Sequence, residues 1–380
     1  MSSRRRLGLL LTLFPIAFYA YACSDDPAPA DAPDTDGGTS DTGTMPVEDD
    51  GGTGGPDADV GDGGAIGCTG NPLTGEDMAD GGDDGGAMLD PDGGALRAIA
   101  TGRFLDGPQW IEDDAGGAIV YSEVDSQVIV RNAPDGGARV VLRATGLGNL
   151  PIGNARGGDY VYTAMSRLPA NGGGGAILRM LVDGGEPTEM EAGVANSPND
   201  LVASAKGFVY FTDPGYQTDG ISTGVFRLGP DGTVTTITKY DGGAGNRADG
   251  IALSPDESTL FVSFFDTKRI TRYTLDAEGV ASDPQSVPVT LADNPTGIAV
   301  DLGGNLWVAE SPDGDLGAAG RIEVFAPDGS KWGEIPFADS RPNGIAFGGA
   351  DGKTVYVTTE RGNVLEGTLY AFTSRCPGVR

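Results

Sequence analysis

Six positions at one register of the chain, Asp106, Ile152, Asn199, Asp249, Thr296 and Asn343, each precede a short turn that opens an apolar strand. Five of the six carry a side-chain oxygen. Such a set suits a hard cation held by oxygen, calcium or magnesium above all. Asn and Asp also stabilise tight turns by bonding their own backbone, so any one position alone explains itself locally. The chain contains no His. That excludes Ser-His-Asp and Cys-His catalysis and every His-ligated metal site. Carboxylates, amides, hydroxyls, Lys and Arg remain as chemical tools.

The elements that would position these residues repeat. Asn196–Tyr216 reads as a polar turn, a strand at Leu201–Ala203, a turn at Gly207 and a second strand at Phe208–Thr212. Runs rich in β-branched and aromatic residues, bounded by Pro, Gly and Asn, are strand signals. Equivalent units start at positions 107, 153, 200, 250, 297 and 344, in steps of 46 to 50 residues. A period of that size with short strands indicates propeller blades. The expected fold is all-β, a six-bladed β-propeller over 97–380. The last repeat shows three strands, and Leu96–Thr101 is the expected fourth, closing the ring without a free edge. In a propeller the equivalent turns converge on one mouth of the central channel, so the oxygen-bearing set is expected to face a single funnel.

Residues 1–22 read as an export signal, with Arg4, Arg5 and Arg6, an apolar run from Leu7 to Tyr21, and a small-residue cleavage site at Ala20-Tyr21-Ala22. Cys23 follows directly and looks like a bacterial lipoprotein cysteine, which predicts a membrane anchor in the cell envelope. The alternative is a secreted chain cut at the same bond. The remainder of 23–96 is an Asp/Gly-rich linker holding nineteen of the 55 acidic residues and none of the 25 basic ones. It has too little apolar surface to offset the entropy of ordering and is expected to be disordered. Residues 97–380 then carry 36 acids against 22 bases. An acidic domain argues against nucleic-acid binding. With Cys23 lipidated, Cys68 and Cys376 remain, one before the first blade and one after the last, and a disulfide between them suits an oxidising compartment.

Asn-Ser-Pro-Asn-Asp-Leu-Val (196–202) followed by Val-Tyr-Phe-Thr-Asp-Pro (209–214) resembles the gluconolactonase branch of the senescence marker protein (regucalcin)/gluconolactonase family. Asp106-Gly107-Pro108-Gln109-Trp110, Asp249-Gly250, Gly303-Gly304-Asn305-Leu306-Trp307 and Asn343-Gly344 follow in matching order. The resemblance implies a propeller with one divalent cation in its channel that hydrolyses sugar lactones and related esters. Calcium is the expected ion; magnesium, manganese and zinc are the alternatives. By position, Asp106, Asn199, Asp249 and Thr296 fall where the family's metal and substrate residues lie. Asp249 and Asp200 are the candidate catalytic carboxylates, and Asn199 and Asn343 are candidate substrate contacts. The family's fifth-blade ligand and base is usually Asp; here it is Thr296. Asp249 stands where Asn is usual, so the count of carboxylates is kept while one has moved a blade along.

Two readings follow. One is an exported, monomeric, metal-dependent lactone or ester hydrolase. The other is a surface-tethered propeller without catalysis that binds a protein, glycan or envelope component.

Overall fold

The computed structural model describes residues 68, 70–73, 96–113, 116–168, 170, 173–190, 195–216, 223–240, 246–312, 319–361 and 366–379. The chain divides into two units, Met1–Asp62 and Gly63–Arg380, and everything described belongs to the second. The export signal, Cys23 and nearly all of the acidic linker lie outside the described residues.

Among the described residues, twenty-four strands form six four-stranded antiparallel sheets. The closing strand β1 (Arg97–Gly102) comes first. Blade 1 contains β2 (Leu105–Ile111), β3 (Ala118–Glu123), β4 (Val128–Asn132) and β5 (Arg139–Ala144). Blade 2 contains β6 (Asn149–Gly157), β7 (Tyr160–Arg167), β8 (Gly175–Leu181) and β9 (Thr188–Met190). Blade 3 contains β10 (Leu201–Ala203), β11 (Val209–Asp213), β12 (Thr223–Leu228) and β13 (Val234–Tyr240). Blade 4 contains β14 (Ala248–Leu253), β15 (Thr259–Phe264), β16 (Arg269–Leu275) and β17 (Ala281–Ser286). Blade 5 contains β18 (Asn294–Val300), β19 (Leu306–Ser311), β20 (Gly320–Phe325) and β21 (Lys331–Phe337). Blade 6 contains β22 (Arg341–Gly348), β23 (Thr354–Glu360) and β24 (Gly367–Thr373), and β1 completes it by pairing antiparallel with β24. This is the all-β six-bladed propeller expected from the repeat, and the closing strand lies one residue beyond its expected bounds.

Composition explains the radial order of each blade. The inner strands β14 and β18 are buried along their whole length, whereas the outer strands β5 and β17 are mostly exposed. Apolar side chains of neighbouring blades pack face to face, as in other sheet-on-sheet contacts. Each seam has its own cluster. Trp110 and Tyr356 meet in the seam between blades 6 and 1, and Trp307 and Phe347 in the seam between 5 and 6. Both tryptophans are core residues, at 2% and 0% exposure.

The two ends of the folded unit are stapled. A disulfide joins Cys68 to Cys376, with Cα atoms 5.5 Å apart and a sequence separation of 308. Asn71 and Pro72 bond Trp332 and Arg375, so this short segment packs on the last two blades. Beyond Cys376, the Pro377 carbonyl accepts from Leu302, and the Val379 amide donates to Val300. Val379 thereby joins the lining of the channel cavity, about 110 Å³, together with Asn154, Asp200, Ile298 and Ile345.

Candidate active site

The inner strands approach one another backbone to backbone around the channel. A Cβ on Gly250 would fall 2.2 Å from the Thr296 carbonyl oxygen, and one on Gly297 would fall 2.3 Å from that of Asn343. No side chain fits there, which is why the repeated turn carries glycine. Blade 3 breaks the pattern with Asp200. Its Oδ1 accepts from the Leu201 amide at 2.8 Å, and its Oδ2 accepts from the Ile251 amide of blade 4 at 3.2 Å. A carboxylate thus bridges the seam where other blades have only backbone.

At the same level, the pairing of inner to second strand shifts register between Asp106 and Gln109, between Ala248 and Ile251, and between Pro295 and Ile298. Bulges of this kind re-aim side chains next to active sites. Hydroxyls on the second strands secure them. Thr212 donates to the Asp249 carbonyl and accepts from the Asp200 amide. Ser263 accepts from the Gly250 amide at 2.7 Å and donates to the Thr296 carbonyl at 2.7 Å. Ser122 accepts from the Asn154 side-chain Nδ2 at 3.0 Å. These Ser and Thr residues were not picked out from sequence, although a hydroxyl one or two residues before the end of the second strand recurs in several blades.

The structure brings Asp106, Asp200 and Asp249 into one electrostatic environment. Asp106 accepts from the Gly107 amide at 2.7 Å. Burial pushes its carboxyl well above the usual range, and the charges of Asp200, Asp249 and Glu360 add to that effect. Burial also raises Asp200 to about 7, against the pull of the Leu201 and Ile251 amides. Asp249, only 7% exposed, is raised to about 6 by burial, with the Tyr216 hydrogen bond and the Arg247 charge pulling the other way. Neutralising a buried carboxyl is the ordinary response when no cation faces it. Arg247 is committed to Asp266, and Arg341 to Glu360.

Thr296 and Asn343 are placed differently. The Thr296 hydroxyl lies 3.2 Å from the Ala309 carbonyl oxygen and 3.0 Å from that of Pro342, and is thus directed at backbone. The Asn343 amide donates to the Leu105 carbonyl at 3.2 Å, tying blade 6 to blade 1. Among the described residues, no three His, Cys, Asp or Glu side chains converge closely enough to hold a metal ion by themselves. An ion at this mouth would therefore draw on amide or hydroxyl oxygens as well. The donor chemistry fits: Asp106, Asn199 and Asp249 are all oxygen donors, in a buried surplus of negative charge suited to a hard dication.

Four further residues complete the surroundings, none of them singled out from sequence. Tyr216 donates its phenol to Asp249 Oδ2. The Arg247 guanidinium lies 5.1 Å from the centre of the Tyr216 ring and 4.9 Å from that of Phe265. Arg247 is itself held by Asp266 through its backbone amide at 2.9 Å and through its guanidinium. Tyr216 closes the 196–216 motif and Arg247 stands two residues before Asp249, so both were in view but without a visible partner.

Residues 104–361 match the profile of the SMP-30/gluconolactonase/LRE-like region. The chain belongs to this family. A gluconolactonase of Zymomonas mobilis is 30% identical over 298 residues, covering 69% of this chain and 78% of the relative. A pentonolactonase of Haloferax volcanii is 26% identical over 274 residues, covering 70% and 85%. Among solved structures, a gluconolactonase of Xanthomonas campestris superimposes with a TM-score of 0.59 at 25% identity, covering 74% of this chain and 89% of that one. The matched region begins one residue before β2 and ends one residue past β23, so it includes every candidate site residue of the family motif.

Proposed function

We propose that the protein is a metal-dependent lactonase that opens sugar lactones or related cyclic esters by hydrolysis. The observation that carries this reading is the grouping of the Asp106, Asp200 and Asp249 carboxyls, Asp249 buried and the other two half-buried, in a family whose named relatives are lactonases. Asp106, Asn199 and Asp249 would hold the cation, with calcium the favoured ion. When bound, that cation supplies polarisation of the lactone carbonyl and stabilises the charge developing on its oxygen. Asp200 lines the channel cavity. Its carboxylate takes a proton from the attacking water as the new carbon–oxygen bond forms, and returns it to the ring oxygen as the lactone C–O bond breaks. Asn199 and Asn343 orient the substrate hydroxyls. Asp249 is the alternative proton acceptor.

The domain reaches the cell envelope through the export signal and is tethered by a lipid on Cys23, with the acidic linker as spacer. It acts as a monomer. The test of function is acid release from a panel of five- and six-membered lactones with calcium, then with chelator. Turnover that chelator removes and calcium restores supports the reading.

One observation favours a second reading, a surface-tethered binding propeller without catalysis. The fifth-blade position carries Thr296, whose hydroxyl is directed at backbone carbonyls. Calcium binding without turnover on any lactone would favour it.

A further inference from the structure

We propose that Tyr216 is a positioning residue of this site: its phenol fixes the Asp249 carboxylate by one oxygen, leaving the other for the cation and the reaction. The inference rests on the metal-dependent reading above. A carboxylate's terminal torsion is broad, so an Asp side chain keeps one orientation only where a partner holds it. Asp249 is 7% exposed, and Tyr216 is its side-chain donor, bonded at Oδ2. Oδ1 takes no part in that bond.

The phenol is in turn placed by a built support. The Tyr216 ring lies on the Arg247 guanidinium, whose other contacts are the Phe265 ring and the Asp266 carboxylate. Arg247 precedes β14 and Asp266 follows β15, so both are anchored on blade 4. Tyr216 follows β11 of blade 3. The arrangement therefore spans one seam and couples the loop after β11 to the inner strand of the next blade. With its charge engaged by Asp266, Arg247 serves as a platform for the ring more than as a direct partner of Asp249. Ligating carboxylates are commonly held by such outer partners, whose loss costs about 10- to 100-fold in metal affinity or activity.

The test uses the full chain and Tyr216→Phe, which keeps the ring on Arg247 and removes only the O–H. Calcium chloride is titrated into both proteins by calorimetry, and lactone kinetics are measured at saturating calcium. The expected result is a calcium Kd weakened about 10- to 100-fold and a kcat lowered about 10-fold, with KM within about twofold. Thermal melting of the two metal-free proteins is expected to coincide, which separates positioning from folding. A variant with unchanged calcium Kd and unchanged kcat would overturn the proposal alone. So would a change confined to KM, because Tyr216 would then touch substrate. A wild-type chain that takes up no calcium would overturn both the metal-dependent reading and this one.

Discussion

Tyr216 and Asp249, 33 residues apart in sequence, meet across the seam between the third and fourth blades in a phenol-to-carboxylate hydrogen bond. The contact ties the loop that ends the 196–216 motif to the carboxylate standing where the family usually carries an amide. It also shows how this site is made: a carboxylate on one blade takes its side-chain partner from the neighbouring blade.

Asp200→Asn keeps the size of the side chain and its acceptor oxygen for one backbone amide, but removes the proton acceptor. The expected outcome is a kcat about 100- to 10,000-fold lower with calcium affinity little changed, the range for loss of a positioned acid–base group. Stopped-flow or pH-indicator kinetics on the responsive lactone measure it. Wild-type turnover in the variant would transfer the proton-acceptor role to Asp249.

Thr296→Asp restores the carboxylate usual for the family in the fifth blade. Thr296 is 9% exposed and its hydroxyl is directed at two backbone carbonyls, so without metal the new charge is buried against acceptors. That costs more than a neutral unsatisfied group would, which is about 1–3 kcal/mol. A cation offsets the charge, so the increase in Tm on adding calcium is expected to be larger in the variant than in the wild type. Equal increases would show that position 296 does not face the ion.

Glu310 predicts a pH dependence away from the site. It is fully buried, beside Glu323 at 2% exposure. Asp293 donates its amide to Glu310, while Lys331 donates its ammonium to Glu323. Burial, and then the hydrogen bond and charge of Glu323, hold the Glu310 carboxyl well above its ordinary value of 4.5. The folded state therefore binds this proton more tightly than the unfolded chain. The stability it contributes is complete below the ordinary glutamate value and is lost as pH rises through the raised one. Melting between about pH 5 and about pH 8 should show Tm falling with pH, and Glu310→Gln should reduce that slope. A slope unchanged in the variant would remove Glu310 as a source.

The disulfide closes a loop spanning 308 residues in sequence separation and anchors the tail that reaches the channel. In the chain-entropy model, closure of so long a loop contributes on the order of 4–5 kcal/mol. Denaturant titration with and without reductant measures the difference. Thiol counting on the denatured, unreduced chain should find neither Cys68 nor Cys376 reactive.

The fold was legible because its period is written in local signals. Polar turn, short apolar strand and glycine turn recur at nearly constant spacing, and the missing fourth strand of the last repeat pointed to the segment that became β1. The candidate ring could be located from the same register, since Asp106, Asp249 and Thr296 all stand at the same point of their inner strands. What each side chain does there was not legible. The register shifts that re-aim Asp106 and Asp249 leave no periodic trace, and the hydroxyls of Thr212 and Ser263 act through backbone groups of the neighbouring blade. Arg247 and Asp266 are 19 residues apart, and Glu360 reaches Asp106 and Asp249 only electrostatically, from the last blade. Contacts of that kind depend on how blades pack, which no strand pattern encodes.

The most direct measurement is hydrolysis of glucono-1,5-lactone by the wild-type chain and by Asp249→Ala, each with calcium and with chelator. The account predicts turnover in the wild type that chelator abolishes and calcium restores, and none above background in the variant. Turnover indifferent to chelator, or near-normal turnover in Asp249→Ala, would contradict it.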